Sequence, residues 1–200
     1  MKISLIPWEA IWLTNIFILI IWLIGLMVKW IWAKKLSLPK TPLFYINILI
    51  CISVPFLLSI FNYRFDLDLN HTELTTRDHE IVDLRIHTYS TDDYTPTEIY
   101  DASIRAIQSL TTYAQPWTIA RVDTNERQTG LIMAQVPVLM FVDDLAILIS
   151  PSEEKPETSV VVTSKARVGK ADMGANGRHI KKFYLALDKE LAKLHDKTVK

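Results

Sequence analysis

Between Ile11 and Val28 the chain carries no charged residue, and twelve of these eighteen positions are Leu, Ile, Phe or Val. A run this apolar restricts the fold more than any other feature. At roughly 0.3–0.6 kcal/mol per apolar residue, transfer into a bilayer gains about 5 kcal/mol. At ~1.5 Å per residue the run nearly covers a ~30 Å hydrocarbon core, and flanking apolar residues complete it. Trp8 and Trp12 stand at one end and Trp30 and Trp32 at the other, where interfacial aromatic belts lie. A cleaved signal peptide has a shorter core followed by small residues, whereas Lys29-Trp30-Ile31-Trp32 follows here. A retained span is therefore expected over about 8–30. A second uncharged run from Leu43 to Phe61 predicts another span over about 42–61, with Pro55 tolerated in lipid if a neighbouring helix covers the loosened backbone.

Lys29, Lys34, Lys35 and Lys40 fall in the connection between the two runs. Positive residues collect in short cytoplasmic loops, so the expected topology is a two-span hairpin with the N-terminus and the C-terminal part outside. In a Gram-negative bacterium this is a multi-pass inner-membrane protein with a periplasmic domain.

A third apolar run, Leu131 to Ile149, holds eleven Leu, Ile, Val or Phe residues but also Asp143 and Asp144. The two carboxylates cost roughly 5–7 kcal/mol near mid-bilayer, which cancels the gain. Core strands are the expected reading.

Net charge is zero only because opposing regions cancel. Residues 1–62 balance at +4, residues 63–164 at −10 and residues 165–200 at +6. No block is pure enough for a nucleic-acid tail. Cys51, the single cysteine, lies inside the second apolar run, so an intrachain disulfide or thiolate cluster is excluded.

Residues 63–80 are polar and aperiodic and are read as a linker before an α+β domain over 81–200. Val82, Leu84 and Ile86 alternate with polar residues as a strand does. Thr95-Pro96-Thr97-Glu98 combines a threonine cap, a proline at the first helical position and a glutamate three residues after the cap. The helix it opens carries Tyr100, Ile104, Ile107 and Leu110 on one face and is expected to end near Gln115-Pro116. Strands are expected over 117–122, from about 129 with a bulge or edge at Pro137, over 144–149 and over 160–168. A final helix carries the stripe Ile180, Phe183, Tyr184, Leu187, Leu191 and Leu194. The order gives a five-stranded antiparallel sheet packed with two helices on one face.

Two segments, Phe141-Val142-Asp143-Asp144 and Ala166-Arg167-Val168-Gly169-Lys170-Ala171-Asp172-Met173-Gly174-Ala175-Asn176, resemble the domain of unknown function 1499 family. Its members pair a Phe-x-Asp-Asp strand start with an Arg-Val-Gly-Arg-Ser-Asp-x-Gly-x-Asn segment before the last helix, and here Lys170 and Ala171 replace the arginine and serine. The resemblance covers about residues 80–195. It implies no established activity. It implies a domain found in bacteria, often behind membrane spans, and in plastids.

Asp143 and Asp144 are strand neighbours that point to opposite faces, so they cannot form a paired-carboxylate site with each other. One is expected to cap a turn or to pair with a base such as Arg167 on the adjacent strand. The catalytic alternative places Asp143 or Asp144 beside His179. The segment Arg167, Gly169, Lys170, Asp172, Gly174 and Asn176 offers either a helix cap or an anion loop at a helix N-terminus. His71, His79 and His87 form no metal-binding motif, and no hydrolase or dehydrogenase fingerprint occurs, so no metal or cofactor is expected.

Three functions are compatible with these features. One is a non-catalytic domain anchored among membrane lipids that binds other membrane-protein subunits. Another is a binder of lipid or another apolar ligand. The third is an enzyme using Asp143 or Asp144 with His179.

Overall fold

The uncharged N-terminal run forms helix α1 (Trp8–Ala33) and the second run forms helix α2 (Pro42–Phe65) in a computed structural model that describes residues 7–33, 42–65, 72–76, 81–124, 129–169 and 172–198. The two helices form one compact unit, and the chain from β1 (Glu73–Thr75) onward forms another.

Trp12 Nε1 donates to the Cys51 carbonyl at 3.0 Å, and the ring of Trp22 meets buried Phe44 edge-on at 5.9 Å. Contacts 12–51 and 22–44 run in opposite senses, so α1 and α2 pack antiparallel. Ala10–Trp32 is long and apolar enough to cross a bilayer, with Phe17, Ile21 and Ile24 turned outward. In α2 the corresponding apolar stretch, Pro42–Val54, is shorter. Lys34, Lys35 and Lys40 lie outside the described residues.

The second unit is α+β. The long strands are β5 (Thr118–Thr124), β6 (Gly130–Val138), β7 (Phe141–Pro151) and β8 (Glu157–Ala166), joined as antiparallel neighbours in chain order. On the free side of β8, β1 pairs with residues 163–165 and β2 (His87–Ser90) with residues 157–160. The sheet therefore has six strands, not five. β3 (Thr111–Thr112) and β4 (Gln115–Pro116) form a separate two-stranded hairpin.

Helices α3 (Pro96–Ser109) and α4 (Ala175–Thr198) pack on one face of the sheet, α3 against β5, β6 and β7 and α4 against β8. Alternate residues of the long strands (Ile132, Ala134 and Val136; Leu145, Ile147 and Ile149; Val160 and Val162) point into that layer and are fully buried. The helices answer with Ile99, Ala102, Ala106 and Ile107 from α3 and Ile180, Phe183, Leu187 and Leu191 from α4.

Several local expectations change. The stretch 63–80 is not linker throughout: Glu73–Thr75 is a sheet strand, with Leu74 buried opposite Ser164. Val82–Leu84 is a 3-10 turn rather than a strand, and the strand begins at His87. Helix α3 ends at Ser109, because Thr111 and Thr112 leave it to pair with Pro116 and Gln115. Of the expected face only Ile107 is buried, with Tyr100, Ile104 and Leu110 half-buried; the buried face is Ile99, Ala102, Ser103, Ala106 and Ile107, whose small residues let the helix approach the sheet closely. Pro137 pairs with Val142 on one side, while on the other the β5 ladder stops at Gln135, so no amide donor is missed there. The irregularity falls instead in β5, between Ile119 and Arg121.

Candidate functional site

The strand start Phe141-Val142-Asp143-Asp144 places its two carboxylates on opposite faces of the sheet, as the period of two requires. Asp144 is on the outer face, where Arg167 grips it with two bonds, Nε at 2.9 Å and Nη2 at 2.5 Å. Asp143 is on the inner face and only 4% exposed. There it lies 3.7 Å from His179 Nδ1, which reaches down from the second turn of α4.

Ser164 of β8 joins them. Its hydroxyl donates to Asn176 Oδ1 at 2.7 Å and lies 3.3 Å from His179 Nδ1. Because that proton is committed to Asn176, the serine oxygen accepts at the ring, which assigns the proton of His179 to Nδ1. Trp117 packs its ring edge-on to His179 at 5.9 Å and donates Nε1 to Thr112 at 2.7 Å. Asp143, Ser164, Asn176, His179 and Trp117 are all buried.

Burial, assisted by Arg178 and Lys182, pushes the His179 pKa down to about 3, so the ring is neutral near pH 7. The 3.7 Å approach of Asp143 is thus a contact to a neutral imidazole rather than an ion pair, although the two groups lie within ion-pair distance.

The segment before α4 is built around Asp172. One carboxylate oxygen accepts from the Gly174 amide at 3.0 Å and the other from the Asn176 amide at 2.7 Å. Gly169 and Gly174 take φ of 99° and 78°, values glycine adopts without strain. Met173 also turns left-handed, at φ 50°, and its carbonyl accepts from Arg178 Nη1 at 3.0 Å. Burial raises the Asp172 pKa to about 6, against the pull of its amide bonds and of Arg178. Two of the amides that a bound anion would use are thus occupied by the protein's own carboxylate. Arg167 and Gly169 are exposed, and Lys170 lies outside the described residues.

Of the residues named for the catalytic alternative, the structure brings Asp143 and His179 together and leaves Asp144 on the opposite face of the sheet. In a Ser-His-Asp relay the nucleophile and the carboxylate hold opposite nitrogens of the ring. Here Ser164 and Asp143 both approach Nδ1. The arrangement ties β7, β8 and α4 together and differs from such a relay. Among the described residues no group of three or more His, Cys, Asp or Glu is placed to hold a metal ion.

A second polar cluster lies on β2 and α4. The ring of His87 stacks on Tyr184 at 3.7 Å with 7° between planes. Tyr89 donates to Asp188 at 2.8 Å, and Tyr184 donates to the Val160 carbonyl at 2.7 Å. Burial lowers the His87 pKa and raises that of Tyr184 to about 12. The signal was present in spacing, i and i+2 for His87 and Tyr89 and i and i+4 for Tyr184 and Asp188. The alternation of Val82, Leu84 and Ile86 hides it, because the strand itself begins only at His87.

No curated protein and no solved structure matches this chain. Residues 68–187 match the family described as "Protein of unknown function (DUF1499)", and that stretch holds the Phe-x-Asp-Asp strand start and the capped loop before α4. Over more than half of its length, therefore, the chain belongs to the DUF1499 family.

Proposed function

We propose that this protein is a membrane-anchored, non-catalytic docking module that receives another membrane-protein subunit on the sheet face opposite α3 and α4. The anatomy of that face supports the reading. Leu131, Leu148 and Val161 stand side by side across β6, β7 and β8, and Met133 and Ala146 form the next row. The rim is polar and already ion-paired, with Arg121–Asp123 at 2.6 Å on one flank and Lys165–Glu73 at 2.7 Å and Arg167–Asp144 on the other. An apolar centre inside a paired polar rim is the composition of a protein interface. With Ser164 and Asp143 on one ring nitrogen, the buried cluster supports a scaffold role.

In this reading α2 completes a transmembrane hairpin with α1. The lysines of the connection hold it on the cytoplasmic side, and the folded unit works on the other side, the periplasm if the host is a Gram-negative bacterium.

Native mass spectrometry after mild detergent extraction tests the docking role. The expected result is a stoichiometric complex, lost in Leu148→Arg while the thermal transition of the extracted chain stays in place. A full-length protein that is monomeric in every mild detergent overturns the proposal.

A further inference from the structure

The turn joining β6 to β7 is closed by the pairing of Val138 with Phe141 and has only Leu139 and Met140 at its tip. Hydrophilic residues and glycine normally fill such tips. Here Leu139 is held at φ 54°, a conformation that costs a non-glycine residue roughly 1–2 kcal/mol. Met140 is 83% exposed and Phe141 41%, and at the end of β8 Val168 is 59% exposed. Met140 is more exposed than any other large apolar side chain described in this unit.

The chain coming from α2 joins the sheet at this same end. Ala166 N donates to the Thr72 carbonyl at 2.7 Å, and β7 sets Asp143, two residues past Phe141, opposite Ala166. Six residues separate Phe65 from Thr72, and fully extended they reach at most roughly 20–25 Å. Across the sheet, the tip of β6–β7 lies two to three strand spacings from the strand that follows Thr72, about 9–14 Å. Neighbouring charges are neutralised within the unit, Asp144 by Arg167 and Lys165 by Glu73, so lipid contact at the tip need not bring an unpaired charge with it.

We infer that Leu139, Met140 and Phe141 form a second membrane attachment, an apolar tip that dips into the headgroup region of the bilayer that holds α1. This rests on α1 being a membrane span. The occupant is lipid, since a tip of two residues between paired strands offers no concave surface to a protein, and the tether reaches the sheet at the end that carries it.

The test uses the full chain with Cys51→Ser, reconstituted without other proteins in nanodiscs of phosphatidylcholine and phosphatidylglycerol. Spin labels are placed one at a time at Met140→Cys, Asp92→Cys and Ile21→Cys, and their collisions with oxygen and with a water-soluble nickel chelate are compared. The expected result is lipid-type exposure at 140, at a depth of about 5–10 Å, lipid-type exposure at 21, and water-type exposure at 92, at the opposite end of the sheet. Water-type exposure at 140 with lipid-type exposure at 21 overturns the attachment and leaves the anchor standing. Water-type exposure at 21 overturns the anchor, and the attachment with it.

Discussion

At position 130 an added methyl group would sit 2.4 Å from Cδ2 of Tyr100, whose ring lies across the start of β6. Gly130 is there because the ring needs the space. Gly130→Ala is expected to destabilise the folded unit by about 1–3 kcal/mol, as overpacking does, in thermal or chemical unfolding of the full chain. Tyr100→Ala in the same chain should remove most of that penalty, and a purely additive double variant would refute the steric account. Two buried groups set opposing pH dependences. His179 binds its proton more weakly folded than unfolded, so its contribution to stability is complete above about pH 6.5 and declines as pH falls toward about 3. Asp172 binds its proton more tightly folded than unfolded, so stability rises as pH falls through about 6 toward 3.8. Asp172→Asn keeps a capping side chain but loses that compensation. Between pH 7 and pH 5 it should lose more stability than the parent chain, and His179→Gln should lose less. Parallel curves for all three chains would contradict the assignment. The Asp143 and Asp144 side chains were legible at this scale, since alternation alone separates them. The convergence of Ser164, Asn176 and His179 was not, because no local rule links a strand to a helix start twelve residues later.

The best-read element is the start of α3. Thr95 accepts from the Glu98 amide at 3.2 Å while Glu98 returns a bond to the Thr95 amide at 2.8 Å, the reciprocal box its sequence announced. Thr95→Ala is expected to cost about 1 kcal/mol of stability. The β3–β4 hairpin is the opposite case. Tyr113 and Ala114 both take positive φ, 51° and 60°, in a two-residue turn that glycine or asparagine would ordinarily fill. Nothing in Thr-Tyr-Ala-Gln signals a turn, and by sequence the segment continues the helix to Gln115-Pro116. Ala114→Gly should stabilise the protein by up to about 1 kcal/mol by relieving the left-handed strain, visible as a raised unfolding midpoint. Strand β1 is invisible in the sequence for another reason: three residues are too few to display a period, and it becomes a strand only because β8 offers it an edge.

For the molecule as a whole, one prediction follows from the lysine asymmetry. In a Cys51→Ser chain in intact cells, a membrane-impermeant maleimide should label Asp92→Cys directly and Lys35→Cys only after permeabilisation. The reverse pattern would place the folded unit on the lysine side. What the sequence alone determined are properties carried by runs and periods: the apolar span of α1, the two-residue alternation of the long strands, the amphipathic stripe of α4 and the exclusion of a third span by two adjacent carboxylates. These need no distant partner, because transfer free energy and side-chain direction are local. The tertiary structure alone decided which edge of His179 meets Ser164 and Asp143, that residues 73–75 complete the sheet, and that Leu148 on one sheet face and Met140 at one turn stand exposed among the described residues. Each depends on what a group meets across the fold, and that is set by packing between segments up to a hundred residues apart.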